Sequence, residues 1–248
     1  MRVGRYFAAM PSHERDPASL SSISGSTTLV GILGWPVEHS LSPAMHNAAF
    51  AALGLDWVYV PLPTPPDRLT EAIAGLAAMG FAGANVTSPH KRAAAELCGS
   101  ALPSVNTLVF LEAAVQAMST DTAILDRLAA ERPVVLGDGG AAAAFLAALP
   151  HARQFSRRSV WPPSTTDADL VVNATSERDA VLVGLGAGQT LVDLPYPATA
   201  TARAARENGA TVVEGLDVLV AQGAASFVLW TGREAPVDVM RAALGLPA

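Results

Sequence analysis

Cysteine is nearly absent: Cys98 is the only one in 248 residues. One thiol excludes an internal disulfide framework and a thiolate-built metal centre, and it fits a reducing compartment. Placed at a helix end, it is expected to be buried and inert. Charge is scarce as well. Only 15% of residues are charged, and 16 lysines and arginines against 22 aspartates and glutamates leave a formal net charge of -6. Such a balance offers no basic face to a nucleic-acid backbone, so no nucleic-acid partner is expected. Half the residues are apolar, which excludes a disordered chain and supplies core for one large domain or two small ones.

Long hydrophobic runs are also missing. Residues 17–37 carry no charge, but five serines precede residue 27, and proline and glycines follow. They therefore lack the sustained apolarity of a membrane span. Arg2, Arg5, Arg15 and Asp16 enclose no apolar segment of the secretory-signal kind. Residues 1–26 are expected to form a flexible leader, and the protein is expected to be cytoplasmic with no membrane partner.

What the chain does have is alternation. The β-rich runs 28-TLVGILG-34, 57-WVYVPL-62 and 82-AGANVT-87 alternate with alanine-rich stretches of helical length at 43–53, 66–79 and 88–98. A further strand is expected at 104–110 and a helix at 121–130. From Pro133 a second series begins with 133-PVVLGDGGAAAAFLAAL-149, a strand, glycine turn and helix. Strands follow at 169–175, 190–195 and 211–215, and the tail over 216–245 is helical. This is an α/β pattern, a mostly parallel sheet covered on both faces, and two such units imply two domains with a cleft between them.

Several short stretches invite chemical readings. In 136-LGDGGAAAAF-145 the glycines allow a tight turn and close approach to a pyrophosphate at a helix N-terminus. A plain strand–turn–helix is the alternative, because Ala142 stands at the third position of G-x-G-x-x-G and Asp138 opposes an anion. The strand 153-RQFSRR-158 ends on Arg157 and Arg158, which suit a 2′-phosphate or a solvated basic turn. Ser42-Pro43 reads as an N-cap followed by the first helical residue. Ser40, two residues earlier, adds a second hydroxyl, and the two together suit a carboxylate grip. Lys91 after 85-NVTSPHK reads as a solvated helix lysine and Asp121 as an N-cap when each is taken alone. His39 and His46 have no third ligand in view, so no metal is expected. His90 reads as a surface residue, and Trp35 and Trp230 as packing.

Taken jointly these stretches carry more. The segments 31-GILGWPVEHSLSPAMHNAAF-50, 83-GANVTSPHK-91, 105-VNT-107, 120-TD-121, 136-LGDGGAA-142, 171-VVNAT-175, 192-VDLPY-196 and 215-GLDVLVAQGAASFVLWTG-232 occur in one order over about residues 28–245. In that order they resemble the shikimate dehydrogenase family with its quinate and aminoshikimate relatives.

The resemblance implies a substrate domain over 27–125 and 216–248 and a Rossmann-like NADP-binding domain over 126–215. It implies Lys91 and Asp121 as the catalytic pair. Ser40 and Ser42 would bind the substrate carboxylate, with Tyr196 near it, and Thr87, Asn106 and Gln222 would hold ring hydroxyls. Gly137, Gly139, Gly140 and Ala141 would hold the cofactor pyrophosphate, Arg157 its 2′-phosphate, and Leu194 and Gly215 would lie near the nicotinamide. The implied reaction is the reversible, NADP-dependent reduction of 3-dehydroshikimate to shikimate by a monomer or homodimer. Quinate or aminoshikimate oxidation is one alternative, and a non-catalytic ligand-binding relative is another.

The sequence also departs from the family. Ser119, Ile124, Asp138 and Val218 stand at positions where the family has other residues. Only eleven residues, with Pro162 and Pro163 among them, separate Arg157 from Asp169. A helix of about 11–12 residues and a strand of about 5–6 cannot both fit there. The cofactor domain is therefore expected to be shortened near 157–169.

Overall fold

A computed structural model describes residues 23–247 apart from 129 and 159, so most of the expected leader lies outside the described residues. In chain order the first part runs β1 (Thr28–Gly34), α1 (Ser42–Ala52), β2 (Trp57–Pro63), α2 (Leu69–Ala78), β3 (Gly83–Val86), α3 (Lys91–Leu97), β4 (Thr107–Leu111) and β5 (Ala114–Met118). The second runs β6 (Pro133–Leu136), α4 (Gly140–Ala148), β7 (Arg153–Phe155), β8 (Leu170–Asn173), β9 (Thr190–Asp193), α5 (Ala200–Glu207) and β10 (Thr211–Val213). Two helices follow, α6 (Gly215–Thr231) and α7 (Val237–Ala243).

The strands form two five-stranded sheets. The first has the order β2-β1-β3-β4-β5, parallel across β2, β1 and β3 and antiparallel from β3 to β5. The second has the order β10-β9-β8-β6-β7 and is parallel throughout. Strands buried on both faces read as continuous apolar runs, which is why β1, β6 and β8 stand out in the sequence. Alternate residues of β1 nevertheless serve different cores. Val30 and Ile32 pack with Met45 and Phe50 of α1 and with Phe227 and Trp230 of α6, whereas Leu33 packs with Leu69, Ile73 and Leu76 of α2. Tyr59, Phe50 and Phe227 are almost fully buried, each contributing about 1.5–3 kcal/mol.

Helix α6 links the two sheets. Its C-terminal half packs on the first, where the Trp230 indole N–H donates to the Leu108 carbonyl at 3.0 Å. Val218, near its N-terminus, lies in the core of the second with Phe145 and Val172. Among the described residues no helix is long and apolar enough to cross a membrane.

Several local expectations need correction. The strand expected at 104–110 is β4, and the unexpected β5 pairs with it as a hairpin, with Phe110 opposite Val115. The stretch expected to be helical at 121–130 holds only a 3-10 turn at Ala123–Arg127. Strand β7 stops at Phe155, so Arg157 and Arg158 lie on the loop beyond it. The tail is two helices, divided at Gly232 in the left-handed conformation. Between β7 and β8 the described residues form neither helix nor strand, and β7 is the sheet edge.

Candidate active site

Helix α3 begins at Lys91, the only lysine in the chain. A cation at a helix N-terminus opposes the macrodipole, so this position needs a compensating carboxylate. Asp121 supplies it: Lys91 Nζ lies 2.6 Å from Oδ1 and 2.7 Å from Oδ2. The two side chains are only 15% and 10% exposed, and both border a cavity of about 180 Å³ between the sheets. An ammonium has three N–H donors, and two are committed to Asp121. The third is left for the cavity.

The carboxylate is itself held. Asn106 Nδ2 donates to Asp121 Oδ1 at 3.0 Å and to Gln222 Oε1 at 2.8 Å, while its Oδ1 accepts the Thr120 backbone N–H at 2.7 Å. With Oε1 accepting from Asn106, the Gln222 amide keeps its N–H donors for the cavity that it lines. Asn106 is 1% exposed and is not among the cavity's lining residues; it stands behind them.

Asn85 does line the cavity, and the sequence reading gave it no role. The signal was available, since it opens 85-NVTSPHK-91. Its Oδ1 accepts the Tyr59 hydroxyl at 2.8 Å, and its Nδ2 donates to Asn106 O and Ser226 Oγ, both at 3.0 Å. Burial pushes the Tyr59 phenol well above its ordinary range, with the Ser42 hydroxyl acting the other way, so the phenol stays neutral and donating.

Ser40 and Ser42 also line this cavity. Ser42 is not the N-cap: Leu41 occupies that position without a side-chain bond, and Ser42 is the first helical residue. Its backbone N–H donates to Ser40 Oγ at 3.3 Å, and its side chain turns inward toward Tyr59. The serine that local pattern suggests as a cap is thus engaged with the cavity wall. Thr87, Tyr196, Leu194 and Gly215 line the same cavity. Burial also raises the Tyr196 phenol, opposed by a hydrogen bond with the Leu41 backbone.

A second cavity of about 430 Å³ shares Lys91, Thr87, Leu194 and Tyr196 with the first and reaches Gly139, Gly140 and Ala141. A third of about 530 Å³ shares Gly139 with it and adds Gly137, Asp138, Arg157 and Arg158. Together they form one cleft from the serines to the glycine turn and beyond.

Two glycines in that turn are required by geometry. Gly137 has φ 118°, and a Cβ there would meet the Ala174 carbonyl oxygen at 2.9 Å. Gly140 starts α4 directly against the lysine: a Cβ would lie 2.8 Å from Lys91 Cβ. Gly140→Ala is therefore expected to displace Lys91 and lower turnover by up to about a hundredfold, the scale of an ångström-size misplacement. Binding of a ligand at the Ser40–Ser42 end of the cleft should change little. Steady-state kinetics checks this, and unchanged turnover would show that α3 yields without consequence.

The residues of the turn fit a pyrophosphate. The α4 N-cap is Gly139, with no side-chain cap bond, so the first-turn N–H groups face the cleft without a side-chain competitor. The acidic neighbours count on the other side. Asp138 does not cap α4; its Oδ2 lies 3.4 Å from Arg158 Nη1, and Arg157 Nη2 lies 3.1 Å from Glu177 Oε2. Both guanidiniums thus already have carboxylate partners that an incoming phosphate would have to displace.

Other side chains depart from expectation. His90 is 2% exposed rather than on the surface, and its Nε2 carries the hydrogen donated to the Thr64 carbonyl at 2.8 Å. Trp35 is 48% exposed rather than packed, whereas Trp230 is buried in the core as expected. Cys98 is half-buried, and burial pushes its thiol up. Among the described residues no group of three or more His, Cys, Asp or Glu could hold a metal ion.

Comparison with known proteins gives the chain a family. The family description "Shikimate dehydrogenase substrate binding domain" matches residues 32–108, and "Shikimate 5'-dehydrogenase C-terminal domain" matches residues 215–244. Shikimate dehydrogenase (NADP(+)) of Anaeromyxobacter sp. strain Fw109-5 is 41% identical, covering 91% of this chain and 98% of its own. The corresponding protein of Methanopyrus kandleri is 38% identical, covering 90% of this chain and 97% of its own. The structure of shikimate 5-dehydrogenase from Thermus thermophilus, solved with NADP(H) and shikimate, superposes with a TM-score of 0.77 at 30% identity, over 87% of this chain and 98% of that one. The chain belongs to the shikimate dehydrogenase family.

Proposed function

We propose that the chain is an NADP-dependent shikimate dehydrogenase, reversibly reducing 3-dehydroshikimate to shikimate. The observation that carries this reading is the Lys91–Asp121 pair, set in one cleft between the two serines and the glycine turn. On this reading the first sheet with α6 and α7 is the substrate domain and the second sheet holds the dinucleotide.

Bound NADPH would supply the hydride, and NADP+ would accept it in the reverse direction. The chain's own residues do the rest. Ser40 and Ser42 hold the substrate carboxylate from the N-terminus of α1, with Tyr196 beside them. Thr87 and Gln222 meet the ring hydroxyls, and Asn106 serves from behind by fixing Gln222 and Asp121. Lys91 aims its third N–H at the reacting oxygen: it gives a proton as the carbonyl is reduced and receives one as the hydroxyl is oxidised. Asp121 keeps the ammonium in place without blocking that hydrogen. Gly137, Gly139, Gly140 and Ala141 offer the pyrophosphate the open first turn of α4, with Arg157 at the 2′-phosphate and Leu194 and Gly215 beside the nicotinamide. The protein is taken to work in the cytoplasm as a monomer or homodimer on small molecules alone.

The test is the purified protein with shikimate and NADP+, following appearance of the reduced nicotinamide, with quinate and NAD+ as comparisons. No reduction with any pair would overturn the proposal.

The acidic residue in the turn permits a sharper expectation. Two like charges 4 Å apart at an effective dielectric near 20 repel by about 4 kcal/mol. Asp138 is 38% exposed, so water screens much of that. Asp138→Ala also frees Arg158. It should tighten NADP+ binding several-fold, more at low salt, and leave melting and shikimate affinity unchanged. Calorimetric titration at two salt concentrations measures this; equal affinities would mean that the carboxylate stays clear of the phosphates.

A further inference from the structure

At the edge of the second sheet the loop after β7 brings an indole to the wall of the cleft. Trp161 lines the cavity of about 530 Å³ that also contains Gly137, Gly139, Arg157 and Arg158. It is 36% exposed, beside Val160 at 59%. An aromatic surface left open to water inside a cleft is unfavourable unless a ligand covers it. One contact is already made: the Arg157 guanidinium carbon lies 5.9 Å from the indole centroid, at the outer limit of a cation–π interaction. Among the described residues no helix or strand stands between β7 and β8, so this loop supplies the wall beyond the sheet edge.

The cavity therefore combines three features. The first turn of the nine-residue α4 is open to an anion. Two guanidiniums stand at the rim. An indole offers a flat apolar face. Inorganic phosphate would use the first two and leave the indole exposed, and a plain apolar ligand would leave the open first turn of α4 without an anion. A planar heteroaromatic base linked to phosphates uses all three. We propose that Trp161 is the stacking platform for the adenine base of the dinucleotide, a single loop side chain serving as the base-facing wall. This rests on the NADP reading above. Arg157 touches the indole and is paired with Glu177, so recognition of the base and of the phosphate meet at one residue.

The test uses the full chain and adenosine 2′,5′-bisphosphate, a probe that carries base and phosphates but no nicotinamide, with NADP+ in parallel. Affinity is read by calorimetry and base contact by tryptophan fluorescence. Removing an aromatic partner from a stacked base weakens binding roughly 5- to 150-fold. Trp161→Ala should lose affinity for both ligands on that scale. Trp161→Phe should keep most of the affinity while losing the ligand-induced quench that the unaltered protein shows. The phenylalanine variant is needed because Trp35, Trp57 and Trp230 also emit. It also keeps the test decisive if the alanine variant folds poorly. Unchanged affinity in Trp161→Ala, or a quench that persists in Trp161→Phe, would overturn the platform and leave the NADP reading standing. No binding of either nucleotide by the unaltered protein, with shikimate still bound, would overturn both.

Discussion

Lys91→Ala should lower kcat by at least about a hundredfold while the KM for shikimate moves far less. A positioned proton-transfer group contributes about 10²- to 10⁴-fold, and no neighbouring lysine can take its place, since Lys91 is the only one in the chain. The substitution leaves Asp121, 10% exposed, with Asn106 Nδ2 as its remaining side-chain donor among the described residues. Some stability should be lost with the partner cation, so kinetics must be measured well below the melting transition. The single lysine allows an independent check on the native protein. An amine-selective acylating reagent can modify only Lys91 and the chain's α-amino group. Acylation of Lys91, followed by mass, should abolish turnover, and bound shikimate should slow it. Normal turnover in Lys91→Ala would remove this residue from the chemistry.

A second large effect is expected from His46, which is not among the residues lining the cleft. Its ring is fully buried, stacked on Tyr59 with centroids 4.5 Å apart and planes 4° apart, with Phe50 and Trp230 tilted against it. Neither ring nitrogen has a hydrogen-bond partner among the described residues. Burial lowers its pKa from 6.5 to about 3. The unfolded chain therefore binds a proton at this residue below about pH 6.5, while the folded chain stays neutral until about pH 3. Stability is fully present above the unfolded value and falls as pH drops through the interval. At pH 5 the loss from this group is about 2 kcal/mol, an order-of-magnitude figure from the linkage relation. Carboxylates add slopes of their own, so the measurement is a difference. Urea midpoints of the unaltered protein and of His46→Leu at pH 8 and pH 5 should show a smaller acid loss in the variant, whatever its offset at pH 8. Equal losses would mean that the ring is not held neutral in the fold.

How much of this could be read along the chain differs from element to element. Strands β1, β6 and β8 were legible because strands covered on both faces are apolar without interruption and end at glycine, proline or polar residues. The Lys91 and Asp121 assignment came from the order of short motifs spread over the chain, since each residue alone reads as an ordinary helix-end side chain. The β4–β5 hairpin was not legible. Glu112-Ala113 carries no hairpin-turn signature, and alanines in β5 favour helix over strand by local propensity. The same local bias suggests a helix after Asp121, where the chain makes only a short 3-10 turn.

The surface reading of His90 and the cap reading of Ser42 fail for a reason that also governs the position of Asn106. Each is adjacent in sequence to residues that look exposed or helical, yet its environment comes from another segment. His90 meets the carbonyl of Thr64, Ser42 turns toward Tyr59, and Asn106 bonds with Gln222, 116 residues away. Periodicity and turn chemistry act over a few residues, so the α/β alternation and the glycine turn follow from the amino-acid order alone, whereas Lys91 and Asp121 were singled out by the family resemblance. Which amide faces the cavity and which stands behind it depends on packing between distant segments. So do the carboxylate that occupies each arginine and the loop indole that walls the cleft. Burial and hydrogen-bond geometry exist only once the two sheets and α6 have come together.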